Sequence, residues 1–101
     1  MNIILSNPNL LANAQKVFDT LDIAENTRKD YQKSVKGFIS FVSGKGIDHN
    51  TFLNFKRYLK NRNDIGVSSK NKYLISGRIL LKEMSRTGML PVDITHNVKG
   101  F

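Results

Sequence analysis

Four stretches of this chain place apolar residues three and four positions apart, the spacing of one buried face of an α-helix. Over residues 9–21 the stripe is Leu10, Ala14, Val17, Phe18 and Leu21, and Pro8 stands where a helix opening tolerates a missing N–H. Over 26–43 it is Tyr31, Val35, Phe38, Ile39 and Val42, with Lys29, Lys33 and Lys36 on the opposite face. Asn26 or Thr27 is the expected cap there, with Asp30 completing a loose capping box, and Gly44 and Gly46 end the helix. Over 50–62, Asn50 or Thr51 caps a helix whose stripe is Phe52, Phe55 and Leu59. Over 68–87, Ser68 or Ser69 caps, and Tyr73, Leu74, Leu80, Leu81 and Met84 face inward. Ile75 and Ile79 lie off that last stripe, so this helix is expected to pack on two sides, at the centre of the bundle. Gly77 within it costs about 1 kcal/mol relative to alanine unless a neighbour needs the space, and Gly88 and Pro91 stop the helix. No stretch is a convincing strand, and the tail over 92–101 lacks strong periodicity. The expected division is a lead-in over 1–8, a helical domain over 9–90 and a linker over 91–101, in an all-α four-helix bundle of antiparallel or crossed hairpins.

A chain of 101 residues buries one modest core and leaves little room for a deep active site. It has no cysteine, which removes disulfides and thiolate metal sites. No apolar run approaches the roughly 20 residues that span a bilayer. Residues 1–5 are apolar but lack the basic start and cleavage site of a signal peptide, so a cytoplasmic location and no membrane partner are expected. Charge changes the picture more. Residues 1–25 hold one basic against three acidic residues, and residues 26–101 hold fifteen against five. A basic body behind an acidic lead-in suits a polyanionic partner, although such charge also serves solubility.

Catalytic constellations are missing from the pattern. His49 and His96, the two histidines, belong to no ligand or base motif, and no cofactor or metal is expected. Asp19 and Asp22 suit a solvated helix face, and Gly44-Lys45-Gly46 is too short and follows a helix where a phosphate loop needs a strand.

Positive chemistry gathers at two helix openings. Ser68, Ser69, Lys70, Asn71 and Lys72 bring hydroxyls, an amide and ammonium groups to a helix N-terminus, where unsatisfied N–H groups attract phosphate. Lysines there oppose the helix dipole, a poor choice for stability alone. Thr27, Arg28 and Lys29 open the 26–43 helix, and Gln32, Lys33 and Lys36 continue a face suited to a major groove. Ordinary capping and a solvated charged face are the plainer account of each feature alone. Arg78, Lys82 and Arg86 add charge along the last helix, toward DNA or toward solvent. Tyr31 and Tyr73 lie on apolar stripes and suit the core, whereas Tyr58 falls outside its helix's stripe and is open between packing and base stacking.

The run Glu25-Asn26-Thr27-Arg28-Lys29-Asp30-Tyr31, followed by Val35, Phe38 and Phe41, resembles the opening of the core-binding domain of tyrosine recombinases, the phage integrase type. Val67-Ser68-Ser69-Lys70-Asn71-Lys72-Tyr73-Leu74 is similar to that domain's fourth-helix opening, and Thr87 to Leu90 with Asn97 to Phe101 to its exit. Lys70 and Asn71 stand where the family commonly has a threonine, and Asn97-Val98 where it has Asn-Pro. The resemblance implies a SAM-like bundle of two crossed hairpins that grips double-stranded DNA beside a separate catalytic domain. It implies that Thr27, Arg28, Gln32, Lys33 and Lys36 face DNA from one helix, and Ser68, Ser69, Lys70, Asn71, Lys72 and Arg78 from another. It further implies that the first helix meets neighbouring recombinase protomers in the assembly, that the isolated chain is a monomer in the nucleoid, and that the catalytic residues belong to the other domain. Tyr31, Tyr58 and Tyr73 are then not nucleophiles. The alternative is a protein-interaction module anchored by Ile75, Ile79 or the first stripe, with incidental charge. A free-standing helix-turn-helix factor ranks last, because its helices and turn are shorter than these.

Overall fold

The structure, a computed structural model, describes residues 16–43 and 45–101. Three helices are complete within it: α1 over Glu25–Val42, α2 over Thr51–Lys60 and α3 over Val67–Arg86. Residues 16–19 are also helical and deliver Phe18 to the core. Leu10, Ala14 and Gly44, to which the pattern assigned parts of the first stripe and a helix end, lie outside the described residues. There is no strand among the described residues.

The apolar stripes meet as their spacing demands. Phe18, Val35, Phe38, Phe52, Phe55, Leu59, Leu74, Leu80, Leu81 and Met84 are buried together, with Tyr31, Ile39, Tyr73 and Ile79 packed half-buried around them. Burying a side chain of this size contributes about 1.5–3 kcal/mol, so the stripes hold the bundle. α3 packs against both α1 and α2, and its broadest contact is with α1. Ile79 joins that packing, whereas Ile75 is exposed, so the second buried side of α3 is narrower than its sequence suggests.

Two glycines set the α1–α3 crossing. A Cβ added to Gly77 would lie 3.3 Å from the Phe38 ring, and one added to Gly37 would lie 3.2 Å from the Tyr73 ring. The neighbour that takes the space left by Gly77 is therefore a buried phenylalanine of the facing helix. At the end of α3, Gly88 adopts φ 83°, and the N–H groups of Met89 and Leu90 both turn back to the Met84 carbonyl, closing the helix.

The helix starts differ from the expected caps. The residues before the three helices are Ala24, Asn50 and Gly66, and none makes a side-chain cap hydrogen bond. Ser68 and Ser69 fall inside the first turn of α3 and are exposed. Before α2, the Asp48 carboxylate accepts the Asn50 N–H at 2.8 Å, and the Asp48 N–H donates to the Thr51 hydroxyl at 2.8 Å. That pair ties the turn into the helix in place of a cap from Asn50.

The tail is the main departure. Leu90, Ile94 and Thr95 are buried and Val98 packs on the core, so the packed unit runs well past residue 90 into the stretch expected to be a linker. Asp93 organises it by accepting the Thr95 N–H at 2.8 Å and the Thr95 hydroxyl at 2.6 Å. Asn97, at φ 66°, adopts the left-handed conformation that asparagine tolerates and turns the chain.

Candidate nucleic-acid interface

The outward face of α1 is set by the same periodicity that buries its inward one. Lys29, Lys33 and Lys36 follow one another at three- to four-residue steps opposite Val35 and Phe38, and all three are exposed. Among the described residues none of the three has an ion-pair or hydrogen-bond partner. The first turn of α3 packs beside this face. A groove of about 170 Å³ is lined by Asp30, Lys33 and Ser34 of α1 and by Ser69, Lys72 and Tyr73 of α3. The two helix openings singled out in the sequence are thus neighbours on one surface. A shallower depression at the start of α1, lined by Asn26, Thr27, Lys29, Asp30 and Lys33, continues it.

Other expected site residues are occupied elsewhere. Arg28 donates to the carbonyls of Leu21 at 3.0 Å, Ile23 at 3.4 Å and Phe18, and pairs with Glu25 at 3.3 Å. It staples the bend before α1 to that helix rather than offering its guanidinium outward. Arg78 donates to the carbonyls of Thr95 at 3.2 Å and Val98, with its guanidinium carbon 5.1 Å from the Phe52 ring centre, and so holds the tail down. Lys70 donates to the Lys60 carbonyl at 3.1 Å, at the end of α2. The Asn71 carbonyl oxygen accepts the Phe101 N–H at 3.0 Å. Gln32 donates to Asp19 at 3.1 Å. Lys72 reaches Asp30 at 2.9 Å across the groove, an exposed pair that partly offsets its charge. Lys82 and Arg86 are likewise paired, with Asp93 at 3.3 Å and Glu83 at 2.7 Å. Thr27, Lys29, Lys33, Lys36, Ser68 and Ser69 remain on the surface with no such engagement among the described residues.

The structure also assembles a cluster that the sequence left scattered. Beyond the groove, between α1, α2 and the start of α3, a cleft of about 410 Å³ is lined by Phe41, Lys45, Tyr58, Arg62 and Tyr73. Tyr58, open in the sequence, is 44% exposed there and lies against Phe41, ring centres 5.1 Å apart. The one sequence signal for it was the position of Tyr58 off its helix's stripe. Arg62 pairs with Asp64; that hydrogen bond raises the Arg62 pKa and, reciprocally, holds the Asp64 carboxyl below its usual range.

Among the described residues no helix is long and apolar enough to cross a membrane, and no three metal-ligating side chains cluster. The arrangement can neutralise phosphates along one exposed helix face and present hydroxyls and amides beside it. No family model, curated protein or solved structure matches the chain, so a functional reading rests on its own residues.

Proposed function

We propose that this chain binds double-stranded DNA through the exposed face of α1 and the adjoining first turn of α3, as the positioning module of a tyrosine recombinase. One observation carries the reading. Lys29, Lys33 and Lys36 stand in a row without partners among the described residues, and Lys33 lines a groove together with Ser69 and Lys72. A solvated stripe would serve solubility equally well if it stood alone. It does not stand alone: two helix openings without side-chain caps flank it, and their free N–H groups add to the field that attracts phosphate. The recombinase assignment adds the motif order from Thr27 through Tyr73 and a helical bundle of the size it needs. Of the anchors of the competing interaction-module reading that lie among the described residues, Phe18 is buried, Val17, Leu21 and Ile79 are half-buried and Ile75 is exposed.

Binding of a short blunt duplex, titrated against salt, tests the proposal. Each neutralised phosphate contributes about −0.9 to the slope of log K against log salt. With Lys29, Lys33 and Lys36 engaged and Lys72 held by Asp30, a slope of about −2.7 is expected. Lys33→Ala and Lys36→Ala should each make it shallower by about 0.9. Binding that ignores salt, or slopes unchanged in both variants, would remove this face from any DNA contact.

A further inference from the structure

The cleft beyond the lysine row has a chemistry of its own. Its rings form a continuous series from the core outward: Phe38 to Phe55 at 5.0 Å between centres, Phe55 to Phe41 at 5.3 Å, and Phe41 to Tyr58 at 5.1 Å. Phe38 and Phe55 are fixed by burial and Phe41 packs half-buried against them, so Tyr58 at the outer end is a braced ring with an open surface. The Lys45 ammonium lies 4.5 Å above the Phe41 ring and has no ion-pair partner among the described residues. The Arg62 guanidinium lies 5.9 Å from the Tyr58 ring. A braced ring next to Arg62, which is paired with Asp64, and one ring away from the unpaired Lys45 ammonium complements a flat ligand that carries a negative charge. At about 410 Å³ the cleft lies at the small end of ligand pockets.

We propose that this cleft holds an unpaired nucleotide of a DNA strand, its base stacked at Tyr58 and its phosphate held by Lys45. This deepens the duplex-binding reading and rests on it. Bases inside a duplex have both faces covered by their neighbours, so an exposed ring can stack only on a base that is out of the helix. The position suits such a strand, because Tyr73 lines both this cleft and the groove of Lys33 and Lys72. A strand that leaves the duplex at the end of the lysine row meets the aromatic cleft next.

The test compares three DNA probes at one salt concentration: a blunt duplex, the same duplex with a short single-stranded thymidine tail, and the same duplex with an abasic tail of equal length. The thymidine tail should tighten binding about ten-fold over the abasic one, the effect of stacking a base on an aromatic ring. Tyr58→Leu should abolish that ratio and Tyr58→Phe should keep it. Because the ratio is taken within each variant, a general loss of folded protein cancels. Equal affinity for the two tails in the natural protein overturns the proposal, as does a ratio that survives Tyr58→Leu. Blunt-duplex binding and its dependence on Lys33 judge the duplex reading separately. A Tyr58-dependent preference for the thymidine tail with no blunt-duplex binding would leave the cleft standing and the duplex face refuted.

Discussion

The outward face of α1 and the tail-binding side of α3 use positive charge in opposite ways. On α1, three lysines extend into solvent with nothing among the described residues to hold them. On α3, Arg78 is spent inside the molecule, bridging two tail carbonyls while it covers the Phe52 ring. Arg28 does the same ahead of α1, gathering the carbonyls of Phe18, Leu21 and Ile23. The residue types explain the division. A guanidinium presents five donors in a rigid fork, which suits several fixed carbonyls at once, whereas an ammonium on a flexible stem keeps its hydration and acts as a point charge. Net charge therefore overstates the surface available to a polyanion. Of sixteen basic residues, five stand in ion pairs among the described residues, and Arg78 is a clamp without one there.

The largest expected effect separates these two uses directly. Arg78→Ala leaves the carbonyls of Thr95 and Val98 without their donor where Thr95 is buried, and should cost about 2–3 kcal/mol of stability. Arg28→Ala, two of whose carbonyl partners belong to the half-buried Leu21 and Ile23, should cost about 1–2 kcal/mol. The triple change Lys29→Ala, Lys33→Ala and Lys36→Ala should stay within about 0.5 kcal/mol, as surface substitutions do. Urea denaturation ranks the three. A triple lysine variant as unstable as Arg78→Ala would mean that the α1 face is structural, and the contrast between the two regions would collapse.

Legibility in the sequence follows the same division. The stripes of α1, α2 and α3 are readable because burial imposes a period, and a glycine inside a helix, Gly77, points to a close neighbour, which is Phe38. The destinations of Arg28 and Arg78 were not readable, since a long side chain reaches either solvent or a carbonyl from the same backbone position. Their targets at Phe18, Thr95 and Val98 lie ten, seventeen and twenty residues away. The packing of the tail is hard to read for a related reason. Leu90, Ile94 and Val98 recur every four residues, but a short stripe after a proline carries little weight until a surface is there to receive it. Of the candidate site, the lysine row was visible as the complement of a buried stripe. The aromatic cleft was not, because Phe41, Tyr58 and Lys45 come together only when α1 and α2 pack.

A smaller effect sharpens the picture of the lysine face. Asp30 is the acidic residue lining the groove there, and it holds Lys72 at 2.9 Å with both side chains nearly half exposed. Such a pair stabilises a fold by well under 1 kcal/mol. Asp30→Asn should therefore barely move the denaturation midpoint. It should instead free Lys72 for phosphate, strengthen duplex binding a few-fold and steepen the salt slope by up to about 0.9. Weaker binding in Asp30→Asn would show that the pair orders the groove rather than restraining it.

The smallest effect lies at the carboxylate that organises the tail. Burial is the largest single influence on Asp93 and acts to raise its pKa, yet the hydroxyl and N–H of Thr95 together with Lys82 outweigh it and leave the carboxyl below its usual range. A folded-state pKa below the unfolded value of about 3.9 means that the ionised form stabilises the fold above that pH. That contribution is lost as pH falls through the lowered value. With 36% of its side chain exposed, Asp93 is screened enough by solvent to keep the contribution well under 1 kcal/mol. Urea midpoints taken from about pH 6 down to about pH 3 should fall slightly more for the natural protein than for Asp93→Asn. The amide oxygen of Asn still accepts from Thr95, so the difference isolates the charge. Identical acid sensitivity in the two proteins would mean that the tail is held by Arg78 and its buried apolar residues alone, with the carboxylate contributing only its geometry.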